Sequence, residues 1–135
     1  NKASHYVWLD ENRILCTSYD TPSSCRYYVY YVDKQVKVPY CVKSLREDGH
    51  PSVLDDNTII TDTYPDTNGN QYIYKVDSKN DTKEQVIRIY SKPVTNGEWR
   101  TDLHPRFNKD KTKICFDSNI NGNRELFILE FDKHA

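Results

Sequence analysis

Of the four histidines in this 135-residue chain, three recur at intervals of 45 and 54 residues: His5, His50 and His104. Imidazole changes charge near neutral pH, moves protons and ligates transition metals, but such intervals alone do not bring side chains together. Arg100 and Arg106 flank the third histidine in the stretch RTDLHPR. A guanidinium pairs bidentately with a carboxylate, so both arginines suit a uronic acid or another acidic sugar. A structural salt bridge to Asp102 is an equally good use of the same groups. Asp102 and Asp62, the latter in ITDTYPD, are the carboxylates placed among the substrate contacts, with turn capping and cross-blade hydrogen bonding as the competing use of Asp62; the same choice applies to Asp117, in CFDSN, and to Asp20. His134 sits near the terminus and reads as solvated.

What gives these residues meaning is the repeat that carries them. Three segments superpose from a histidine to an aspartate: His5 to Asp33, His50 to Asp77 and His104 to Asp132, with spans of 28, 27 and 28 residues. In each, runs of Val, Ile, Tyr and Phe with period two are broken by turn residues and show no helical periodicity. The first hairpins close at Asp10-Glu11-Asn12, Asp55-Asp56-Asn57 and Asn108-Lys109-Asp110, and later ones at Asn68-Gly69-Asn70 and Asn121-Gly122-Asn123. Fourth strands are expected over Gln35 to Val38 and Glu84 to Tyr90, with polar connections from Val42 to Gly49 and from Ser91 to Trp99. The expectation is an all-β chain of three four-stranded antiparallel propeller blades: about 1–45, about 46–97, and about 98–135 with its outer strand missing. Each histidine is then expected just before the innermost strand of its blade, where strand starts converge on the mouth of a central channel.

Three blades are too few to close a ring. With no Met and a first residue of Asn1, the sequence reads as a piece of a larger propeller of about six to eight blades. An uncovered blade face would be satisfied by missing chain or by self-association. Tyr27, Tyr28, Tyr30, Tyr31, Tyr72, Tyr74 and Tyr90 supply large rings for packing between blades, with a sugar-stacking platform as their competing use.

Composition narrows the function classes. Nineteen Lys and Arg balance twenty Asp and Glu, so no bulk charge favours nucleic acid or an anionic membrane surface. No apolar run suggests a membrane helix and no leader is legible, so the chain is expected to be soluble, and cytoplasmic rather than periplasmic. Cys16, Cys25, Cys41 and Cys115 lack CxxC spacing and read as structural thiols. Cys16 and Cys115 are expected at one equivalent repeat position, and a Cys16–Cys25 disulfide stays open if the protein is exported. GxSxG, GxxxxGK[ST], GxGxxG and HExxH are all absent, which removes the corresponding hydrolase, nucleotide and zincin sites. Asn80-Asp81-Thr82 is a formal glycosylation sequon without further support.

The text HPRFNKDKTKICFDSNINGNRELFILEFD resembles the WD40-like repeat of TolB-type propellers: a Pro, an aromatic, a polar turn, an apolar strand, then a Gly turn before an aromatic-rich strand. The first and second copies, with LDEN and LDDN at the turn, lack its usual Gly and match on strand order and spacing. A narrower resemblance is to oligogalacturonate lyase, in which histidines at blade starts, with a glutamine, hold a divalent metal. The matching residues are His5, His50 and His104; the glutamine has no clear counterpart, because Trp99, Arg100 and Asp102 occupy the stretch before His104. The resemblance implies a Mn-type ion at the three histidines, with Asp102 as a further ligand or as the acceptor that holds an imidazole tautomer. It implies metal-assisted β-elimination on uronic-acid oligosaccharides, with a His, Lys or Arg base and no catalytic residue assigned. The alternative is a non-catalytic propeller that binds a glycan or protein partner at the channel mouth, or a simple scaffold.

Overall fold

The computed structural model describes residues 2–94, 97 and 100–134. Trp99 and the ends of the third blade's expected span therefore lie outside the described residues. Among those described there is no α-helix. The first sheet contains β1 (Lys2–Trp8), β2 (Arg13–Thr21), β3 (Ser24–Tyr31) and β4 (Val36–Pro39). The second contains β5 (Ser52–Asp55), β6 (Thr58–Asp62), β7 (Asn70–Asp77) and β8 (Thr82–Tyr90); the third contains β9 (Arg106–Phe107), β10 (Lys113–Ser118) and β11 (Glu125–Glu130). Every neighbour pair is antiparallel and each sheet follows chain order, so each is an up-and-down meander.

Turn chemistry sets these hairpins. Asp10 Oδ1 accepts from the Asn12 and Arg13 amides, Asp55 Oδ1 from the Asn57 amide, and Asn108 Oδ1 from the Thr112 and Lys113 amides. Each short side chain thereby substitutes for a backbone acceptor. Gly69 and Gly122 take φ of +81° and +95°, the left-handed conformation those tight turns demand and a Cβ disfavours.

Cross-strand partners reveal which positions are equivalent. Ile14 faces Tyr30, Ile59 faces Val76 and Ile114 faces Leu129, so these three pairs occupy one place in successive blades. The adjacent place holds Leu15 with Val29, Ile60 with Lys75 and Cys115 with Ile128. Cys115 is therefore the counterpart of Leu15, and the expected equivalence with Cys16 is corrected. The turn from Asn108 to Lys113 is one residue longer than that from Leu9 to Arg13, and a one-residue slip exchanges the faces of a strand. Cys25 pairs opposite Tyr19 and Cys16 opposite Tyr28, which puts the two thiols on opposite faces of the sheet; all four cysteines are free thiols.

Two apolar layers join the sheets. Leu15, Tyr27 and Val29 meet Ile59 and Val76 in one; Ile60, Ile73 and Ile89 meet Leu103, Ile114 and Phe116 in the other. Each buried aliphatic contributes about 1.5–3 kcal/mol, so the interfaces hold the blades in fixed relation. The Tyr27 hydroxyl crosses the first interface to Thr61 Oγ1 at 2.5 Å, and the Asp81 carboxylate receives the Lys43 and Ser44 amides and the Ser44 hydroxyl. Beyond these layers the outer faces stay open, with Tyr6 73% and Trp8 54% exposed on one side and Leu126 66% and Ile128 59% on the other.

Candidate functional site

The blade starts converge. The His50 ring lies between the other two, with ring centroids 4.0 Å from His5 and 3.6 Å from His104, while His5 and His104 are 6.3 Å apart. His50 and His104 precede β5 and β9 as the repeat predicts, whereas His5 lies inside β1. The cause is local: the β1 register shifts between Ala3 and Tyr6, and the His5 amide turns to donate to Thr17 Oγ1 at 3.0 Å. His104 takes φ of +48°, a left-handed conformation uncommon for a residue with a side chain, and its amide is anchored on Asp62 Oδ2 at 2.9 Å.

Carboxylates hold two of the rings. His50 is buried with Asp62, and its Nδ1 lies 2.9 and 3.0 Å from the two carboxylate oxygens, while its amide donates to Asp62 Oδ1 at 2.7 Å. His5 Nδ1 is 3.0 Å from Asp48 Oδ1, and the Tyr19 hydroxyl donates to Asp48 Oδ2 at 3.0 Å. Burial pushes the Asp48 carboxyl up, but hydrogen bonds from Thr17, His5 and Tyr19 outweigh it and hold the group below the usual carboxylate range. Burial, with the Asp48 bond, pushes the Tyr19 phenol up to about 12. Burial lowers the His104 imidazole, assisted by its neighbours His50 and Arg106. Among the described residues, no group hydrogen-bonds to Nε2 of any of the three histidines.

Tyr64 stands edge-on to His50 at 5.9 Å, and the Arg100 guanidinium lies over the Tyr64 ring at 4.5 Å. Arg100 Nε also donates to Asp102 Oδ1 at 3.1 Å, so the salt bridge weighed from sequence is formed. Beside the histidines a cleft of about 610 Å³ is lined by Lys2, Ser4, Tyr19, Asp48, Tyr64 and Arg100, among others. Arg106 is not part of it: its guanidinium donates to the Pro105 carbonyl and lies 3.4 Å from His104 Nδ1. Asp117 pairs with Arg124 at 2.7 Å, and Asp20 accepts from Tyr28. Nothing in the sequence marks Asp48, which lies in the connection between blades where the repeat supplies no register.

The donor chemistry fits a divalent transition ion: three imidazoles, two with Nδ1 engaged by carboxylates, the usual support for a metal-ligating histidine. The rings themselves pack against one another, tilted by 52° between His5 and His50 and by 32° between His50 and His104, with His5 and His104 edge-on at 84°. Among the described residues no group of three or more His, Cys, Asp or Glu is arranged around a metal position.

This is the architecture of consecutive β-propeller blades, and solved propellers match it along nearly the whole chain. TolB from Acinetobacter baumannii has a TM-score of 0.73 at 16% identity, covering 99% of this chain and 31% of its own. An oligogalacturonate lyase in complex with manganese has a TM-score of 0.73 at 20% identity, covering 98% and 36%. The oligogalacturonate lyase of Vibrio parahaemolyticus has a TM-score of 0.71 at 15% identity, again covering 98% and 36%. The chain thus spans about a third of the length of these structures and shares the TolB-like propeller fold. No protein-family model and no curated protein matches it. No helix among the described residues is long and apolar enough to cross a membrane, and the cytoplasmic expectation finds no support in the fold.

Proposed function

We propose that this segment forms the mouth of a carbohydrate-active propeller that performs β-elimination on uronic-acid oligosaccharides with a divalent, Mn-type ion. The observation that carries the reading is the meeting of His5, His50 and His104, one from each blade, within 6.3 Å beside a cleft that presents Arg100. His5, His50 and His104 would hold the ion, which when bound supplies a Lewis acid that neutralises a uronate carboxylate and acidifies the adjacent C–H. Arg100, fixed by Tyr64 and Asp102, orients an acidic sugar in the cleft; Asp62, buried, and Asp48, in the cleft wall, hold the imidazoles. Arg106, exposed beside His104, provides a second cation for a longer acidic chain.

A second reading is a non-catalytic TolB-like propeller that binds a glycan or protein at the same mouth. The direct packing of the imidazoles on one another, with centroids 4.0 and 3.6 Å apart, favours it, because such binding requires no metal. In either case the open faces at Tyr6 and Trp8 and at Leu126 and Ile128 are surfaces for further blades, or for a second copy of the chain. Incubating the protein and Mn²⁺ with oligogalacturonates, and following unsaturated products by ultraviolet absorbance, tests the first reading. Product formed by the wild type and lost in His50→Ala is expected. Glycan binding without product under any metal overturns the lyase and leaves the binding module.

A further inference from the structure

The three histidines are not held alike. His5 and His50 each direct Nδ1 at a carboxylate, Asp48 and Asp62 respectively. An ionised carboxylate only accepts, so Nδ1 must carry the hydrogen in both rings, and in the neutral ring Nε2 keeps its lone pair. His104 differs: its Nδ1 faces the Arg106 guanidinium, which only donates, so the hydrogen belongs on Nε2. That contact is the longest of the three and Arg106 is exposed, so it yields easily to a competing partner.

Asp62 does more than hold one ring. Its Oδ1 accepts the His50 amide and its Oδ2 accepts the His104 amide, 2.7 and 2.9 Å away, while both oxygens share His50 Nδ1. It therefore ties a histidine of the second blade to the backbone of the third, at a residue whose φ of +48° needs an external partner. The equivalent position in the first blade is Thr17, paired with Tyr27 as Asp62 is with Ile73; its hydroxyl accepts the His5 amide. Threonine performs the backbone half of the task but cannot reach the ring, and there Asp48 arrives from the connection between blades to complete it. The equivalent in the third blade, Asp117, is occupied by Arg124 and leaves the His104 amide to Asp62.

We propose that Asp62 and Asp48 are positioning residues that fix His50 and His5 as their Nδ1–H tautomers, so that two Nε2 lone pairs are presented at the blade junction. As a metal-site device this rests on the function proposed above, but the tautomers themselves do not. Free imidazole in water prefers the Nε2–H form, so the arrangement imposes the minority tautomer on both rings.

The test reads the ring nitrogens directly, by two-bond ¹H–¹⁵N correlation on the labelled chain at a pH well above the ordinary imidazole value of about 6.5. His5 and His50 are expected as Nδ1–H, with His104 as the internal contrast in the Nε2–H form. An Nε2–H signature at His50 in the wild type overturns the proposal. In Asp62→Ala, His50 is expected to revert to Nε2–H while His5 does not, and Mn²⁺ affinity should fall about 10–100-fold. A loss of affinity with the tautomer unchanged marks Asp62 as merely structural and refutes the assignment. Should Asp62→Ala fail to fold, Asp48→Ala poses the same question at His5, with His50 now the unchanged reference. A wild type with Nδ1–H tautomers and no affinity for Mn²⁺ sustains this proposal and counts against the metal reading alone.

Discussion

Replacing Gly49 with alanine probes the packing that seats His50. Gly49 lies between Asp48 and His50, and a methyl there would run into the Asp62 carbonyl oxygen, with the Tyr27 hydroxyl at 2.6 Å and Thr61 Oγ1 at 2.9 Å. The carbonyl belongs to β6 and the tyrosine is wholly buried, so neither gives way without moving the blade interface. Overpacking of this kind costs about 1–3 kcal/mol. Parting Tyr27 from Thr61 strands two buried hydroxyls and adds about 1–3 kcal/mol. The expected loss is thus about 2–6 kcal/mol. With an unfolding entropy of about 2.1 cal/mol/K per residue, a chain of this length loses roughly 3.5 °C of Tm per kcal/mol. Urea denaturation and a thermal melt followed by circular dichroism measure both quantities. Gly97→Ala is the control, since an added methyl there meets nothing within 4 Å. If the space at Gly49 were open, alanine would stabilise by about 0.4–1 kcal/mol through the unfolded chain. A Gly49→Ala protein as stable as the wild type, or more so, refutes this account of the junction.

Two further outcomes follow from the same interfaces. Burial pushes the Cys25 and Cys41 thiols up to about 11, so both should resist an aromatic disulfide reagent at pH 8 in the folded protein and react about tenfold faster per pH unit as pH rises toward that value; rapid modification of either at pH 8 without unfolding contradicts their placement. Burial raises the Asp81 carboxyl, but its bonds to Ser44 and Lys43 prevail and hold it below the usual range. A lowered folded-state value means that its stabilisation is present above the unfolded value of about 3.9 and is lost as pH falls through the folded one. Asp81→Asn should therefore lower stability at pH 7 and flatten the acid limb below about pH 4, as read from melts across pH; an unchanged acid limb would show that the bond to the 43–44 connection is not formed.

The fold was legible because its signals are local and repeated: period-two apolar runs, Asx turns, glycines at Gly69 and Gly122, and a histidine opening each unit. Fine register was not. One additional residue between Asn108 and Lys113 moved Cys115 to the face that Leu15 occupies in the first blade, and nothing in the letters marks where a turn absorbs an insertion. The histidines were found because the repeat places them together. Their supports are legible only in part: the sequence offers Asp62 as a substrate contact where the structure has a buried acceptor, and the role of holding a ring, which the sequence offers to Asp102, falls to Asp62 and Asp48. Asp102 instead faces Arg100. Thr17 hints at what the sequence withheld, for only the paired registers reveal that it stands where Asp62 stands and accepts the same amide.

The most direct test of the central claim is metal stoichiometry after equilibration with Mn²⁺ and exhaustive dialysis, comparing the wild type with a variant carrying His50→Ala and His104→Gly, glycine being chosen to keep the left-handed backbone at that position. One bound ion per chain, lost in the variant, is the predicted result. The absence of stoichiometric metal from both would contradict the metal-dependent lyase and leave the binding propeller.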